Sequence, residues 1–73
     1  MIAQPVIVLA DGEIAEMDAN VTPTDHGLDV AVANYKVLEI DHYLVAPEAV
    51  AAFWRGEQVP ATVGTDTAQI ALS

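Results

Sequence analysis

Pro5-Val6-Ile7-Val8-Leu9-Ala10-Asp11-Gly12-Glu13-Ile14-Ala15-Glu16-Met17 is the stretch on which the fold turns. Its first arm is β-branched and apolar, which suits a pleated, half-buried surface. Asp11-Gly12 follows, and glycine accepts positive φ without Cβ strain. An Asp-Gly pair between apolar runs therefore predicts a tight two-residue hairpin turn. The expected hairpin covers residues 5–18. Its second arm is less decisive, because Ile14 and Met17 sit three apart and also suit a helical turn.

Outward from this hairpin, residues 19–27 read as a loop punctuated by Pro23 and Gly27. Residues 28–35 fit two patterns. Leu28, Ala31, Val32 and Tyr35 lie at helical spacing with Thr24 or Asp25 as a cap, while Val30 and Val32 favour a strand. From Lys36 to Val45 a strand is expected, with Asp41-His42 as a candidate bend. A short helix is predicted over about 47–55. Pro47 suits its first position, Glu48 and Arg55 complement its dipole, and Gly56 suits the position just past its end. Pro47, Val50, Ala51 and Trp54 share one face on this reading. Gln58 to Val63 is a strand whose Pro60 suits an edge, and Gly64-Thr65-Asp66 is a turn. Thr67 to Ser73 alternates, with Ala68, Ile70 and Leu72 on one face. The expected class is α+β and mainly β: a small antiparallel sheet or open barrel with one short helix.

The 73 residues suggest one small domain. The sequence contains no cysteine, so neither a disulfide nor a thiolate-held metal can support it. At 53% hydrophobic and 18% charged it is too apolar for a disordered chain. Much of that apolar content is Ala and Val, so the core is thin, and burial completed against another chain is expected. The net charge is −9, with Lys36 and Arg55 the only bases. Direct nucleic-acid binding needs clustered cations, and anionic membranes are disfavoured for the same reason. Six of the acids fall in residues 1–29 without a base. This acidic half suits a basic protein partner. No apolar run approaches a membrane span and the start lacks a basic signal region, so a soluble protein is expected, in a virion or host cytoplasm if phage-encoded and otherwise cytoplasmic.

Candidate chemistry is sparse. Asp25-His26 and Asp41-His42 contain metal-ligating types, but neighbours in a strand point to opposite faces and cannot easily share one ion. The acids from Asp11 to Asp18 do not follow a calcium-loop pattern. Ser73, the only serine, has no motif placing a base beside it, and the four glycines are isolated. No catalytic residue, metal or cofactor is therefore expected. The positions expected to bind a partner are Phe53, Trp54 and Arg55, as aromatic and cationic anchors, and the acids Asp11, Glu13, Glu16 and Asp18. The closing segment has an Ala46-Pro47-Glu48-Ala49 helix start, a Gly64-Thr65 turn and an apolar strand. It resembles the end of some phage head-decoration proteins over roughly a third of the chain, without motifs that assign functional residues. Two functions are expected in order: a structural subunit packing as a homo-oligomer or onto a larger assembly, then an acidic inhibitor filling a basic nucleic-acid-binding groove, as anti-CRISPR or nuclease-inhibitor proteins do.

Overall fold

The computed structural model describes residues 2–10, 13–34 and 38–73. Six antiparallel strands follow one another around a closed barrel: β1 (Ile2–Ala10), β2 (Glu13–Thr24), β3 (Gly27–Asn34), β4 (Glu39–Val45), β5 (Val59–Val63) and β6 (Asp66–Leu72). An even strand number lets the first and last strands meet antiparallel. β6 accordingly pairs with β1, from Val6↔Leu72 to Leu9↔Gln69. The mainly β fold expected from the sequence is present, and its barrel is closed rather than open. Closure removes the long unpaired edges of an open sheet.

The N-terminal hairpin pairs in the expected register, with Ala10 opposite Glu13, and continues to Ile2↔Val21. Asp11-Gly12 itself lies outside the described residues, as does the expected strand start at Lys36. The predicted loop over 19–27 is instead mostly strand. β2 runs to Thr24, and Ala19 and Val21 alternate into the core. Among the described residues the β1–β2 ladder runs as far as Ile2↔Val21 and does not include Pro23, so the proline's missing N–H costs no bond in it. The true turn is Asp25-His26. The Thr24 hydroxyl donates to the Gly27 carbonyl at 3.2 Å and accepts from the His26 N–H at 3.1 Å. Thr24 thus organises a hairpin turn and caps no helix.

Residues 28–34 resolve as strand. Val30 and Val32 are fully sequestered on the same face as Leu28, and that period of two outweighs the helical spacing. Asp41-His42 lies inside β4 and makes no bend. The β3–β4 connection includes Leu38, with φ of 55° and 88% of its surface exposed. A left-handed leucine with little packing is unfavourable. Leu38→Asn is expected to raise stability by about 1 kcal/mol, since asparagine tolerates that conformation. A urea titration of both proteins checks this.

Between β4 and β5 a 3₁₀ turn (Pro47–Ala49) runs into a short helix, α1 (Val50–Trp54). Its end is a Schellman motif, as Gly56 foreshadows. The Gly56 N–H donates to the Phe53 carbonyl at 3.0 Å and the Glu57 N–H to that of Ala52 at 3.0 Å, with φ of +84° at Gly56. The predicted helical face needs correction. Phe53 is completely buried, and Ala49, Val50 and Ala52 pack partly beside it, whereas Ala51 and Trp54 are exposed. The tighter first turn advances by three residues instead of 3.6, which shifts the phase of the buried stripe.

The core joins this segment to the barrel interior. Val6, Val21, Val30, Val45, Phe53 and Ile70 are fully buried, and the described residues include no buried polar or charged side chain. Among them, no helix is long and apolar enough to cross a membrane.

Candidate interaction surface

Alternation along β4 separates two sets of side chains. Asp41, Tyr43 and Val45 face the interior, and Ile40, His42 and Leu44 face outward. Ile40 is 63% exposed and Leu44 42%. Their partners on β3 are Ala33 and Asp29, with Ala31 opposite His42. Ile40 and His42 therefore each face a small alanine, and Leu44 faces Asp29. Covering what remains exposed of Ile40 and Leu44 is equivalent to burying one large side chain, roughly 1.5–3 kcal/mol.

A polar pair interrupts this surface. His42 Nδ1 sits 3.1 and 3.2 Å from the two carboxylate oxygens of Asp29. The contact is diagonal across the β3–β4 ladder, since His42 stands directly opposite Ala31. Solvent reaches both groups, so the pair adds at most about 1 kcal/mol. It orients the imidazole along the sheet and leaves the apolar side chains on either side of it uncovered.

The expected partner-binding positions separate in space. Phe53 belongs to the core, which corrects its assignment as a surface anchor: the short helix cannot present both adjacent aromatics, and the barrel takes this one. Trp54 is 39% exposed and meets the Phe53 ring edge-on at 5.6 Å. Arg55 is exposed, with its Nε donating to the Glu57 carboxylate. Glu16 and Asp18 lie on the outer face of β2, opposite Ile7 and Pro5 of β1. Glu16 accepts a hydrogen bond from the Ser73 hydroxyl at 2.9 Å, so it ties the chain end across β1. Glu13 falls within β2, and Asp11 lies outside the described residues.

Sequence reasoning missed Ile40, Leu44 and the Asp29–His42 pair. The signal was weak because both faces of β4 carry apolar residues, so alternation alone does not say which face is inside. Asp41-His42 behaves as strand geometry requires, with His42 outward and Asp41 inward, while Asp25-His26 forms the exposed β2–β3 turn. No group of three His, Cys, Asp or Glu able to hold a metal ion occurs among the described residues.

Tyr43 has a distinct electrostatic environment. Burial, and secondarily the charge of Asp41, raises its phenol pKa above the usual value near 10. The folded state therefore favours the neutral phenol more than the unfolded state does. The resulting stability is complete below about pH 10 and is lost as pH climbs through the raised folded value. Tyr43→Phe is expected to remove that part of the alkaline loss. Thermal melts of both proteins between pH 9 and 12 give the comparison.

Compared with known protein families, with curated proteins and with solved structures, the chain has no match.

Proposed function

We propose that this chain is a non-enzymatic binding and assembly subunit that completes its burial against another protein, as a homo-oligomer or on a larger particle such as a virion. One observation carries the reading: two of the three outward side chains at the centre of β4, Ile40 and Leu44, are large, apolar and uncovered. A chain with so few large side chains leaves a substantial part of them on its surface. Trp54 and Leu38 extend the exposed apolar set. The fully buried side chains among the described residues are all apolar, and the polar groups on the inward face of β4, Asp41 and Tyr43, belong to no metal-binding group of three, which supports a binding role.

Light scattering at micromolar concentration tests this. The expected mass exceeds the 7.7 kDa of one chain, alone or with a basic protein, and falls back to it in the Ile40→Asp, Leu44→Asp double variant. A persistent single chain that also ignores basic polypeptides overturns the reading.

A second reading is an acidic inhibitor occupying a basic nucleic-acid-binding groove. Glu16 and Asp18, both exposed on the outer face of β2, favour it. Affinity for a basic partner would then fall steeply with salt, and salt-independent affinity removes it.

A further inference from the structure

The barrel is closed unevenly. Among the described residues β4 meets β5 at one pair, Leu44↔Thr62, whereas every other neighbouring pair of strands shares at least four. Both limits of this seam have a cause in the sequence. Val63 and Asp66 flank a two-residue turn, so alternation directs the backbone groups of Thr62 and Pro60 toward β4. Pro60 has no N–H to give, which ends the ladder on one side. Gly64-Thr65 turns away and ends it on the other.

The same alternation directs the backbone groups of Ile40, His42 and Leu44 toward β5. Leu44 finds Thr62 there, while Ile40 and His42 have no strand partner in β5. Their outward side chains are the exposed Ile40 and the half-paired His42 described above. Edge backbone and uncovered apolar surface therefore coincide on one strand. An added strand uses both, because its main chain supplies hydrogen bonds while alternate side chains cover the surface. The flanking charge selects the occupant. Exposed Glu39 precedes the edge, Asp29 lies beside it, and the chain carries −9 overall. Arg55, the cation among the described residues, is engaged by Glu57.

We infer that the β4 edge at Ile40 and His42 accepts an extended cationic segment of a partner protein as an additional strand. This rests on the reading of the chain as a binding subunit and names its docking strand and partner chemistry.

The test is amide hydrogen exchange on the full ¹⁵N-labelled chain, with an eight-residue peptide of alternating valine and lysine as probe. Without peptide, the Ile40 and His42 amides should exchange at least tenfold faster than those of Val30 and Val32. Saturating peptide should slow them at least tenfold. A glutamate-for-lysine peptide, and one N-methylated along the pairing edge, should do neither. Slow exchange at Ile40 and His42 in the dilute free chain overturns the proposal, as does peptide that gives them no protection. Peptide protection confined to β2 near Glu16 and Asp18 overturns the edge but leaves the binding reading standing. Protection that grows with protein concentration alone assigns the edge to a second copy and overturns the cationic partner.

Discussion

Gly27→Ala is expected to remove about 3–5 kcal/mol, most of the stability of a domain this small. Two independent effects combine at this position. Gly27 has φ of +123°, where an L side chain is strained; such strain is worth roughly 1–3 kcal/mol. A Cβ built there would also overlap the Val45 carbonyl oxygen and press on Ala46 and Pro47, at 3.1 Å from the Pro47 nitrogen. These neighbours are backbone atoms at the junction of β4 with the 3₁₀ turn, so no side chain can swing aside. Relief requires the start of β3 to separate from that junction, which carries Leu28 and Val45 out of register in the core. Gly56→Ala is the internal comparison. Gly56 also has positive φ, at +84°, but nothing lies within 4 Å of the added Cβ. Its loss should be about 1–2 kcal/mol. Denaturant midpoints for the two variants separate steric exclusion from backbone strain, and equal losses would contradict the crowding at Val45.

That close approach also marks where the sequence stopped being readable. Gly27 looked like loop punctuation because local residue chemistry reports a backbone preference without reporting what lies across the fold. Thr24-Asp25-His26-Gly27 was turn-like for good reason, yet Ala19 and Val21 needed the neighbouring strands to reveal them as core. Signals confined to a few residues carried further. Asp11-Gly12 implied the β1–β2 pairing, Gly56 implied the helix end, and Ala68, Ile70 and Leu72 implied the last strand. Pro60 is instructive because its reading as an edge residue holds within a closed barrel, at the one-pair seam with β4. The candidate surface was hidden for a complementary reason. Ile40 and Leu44 are as apolar as Tyr43 and Val45, and only closure of the barrel decides which set faces outward.

Phe53→Ala should destabilise the protein by about 3–5 kcal/mol, while Trp54→Ala should cost no more than about 1 kcal/mol. The two residues are adjacent aromatics on a five-residue helix, and the sequence pattern puts Trp54, not Phe53, on the apolar face while assigning both to partner binding. Their surroundings differ completely. Phe53 has no exposed surface and belongs to the same core cluster as Val6, Val45, Val59 and Ile70. Truncating it leaves a cavity bordered by strand backbone, which cannot collapse without breaking ladder hydrogen bonds. The helix has no side-chain N-cap and only five residues, so it is far below the length at which a helix persists unaided. Phe53 is therefore what attaches α1 to the barrel. Trp54 gives up only its edge contact with Phe53 and a partly exposed surface. Thermal melts should show a large downward shift for Phe53→Ala and a small one for Trp54→Ala. Phe53→Leu, which retains most of the volume, should recover much of the loss. Light scattering in the same series separates folding from binding: a change of assembly in Trp54→Ala without loss of stability assigns Trp54 to a protein contact, while Phe53 acts through the fold alone.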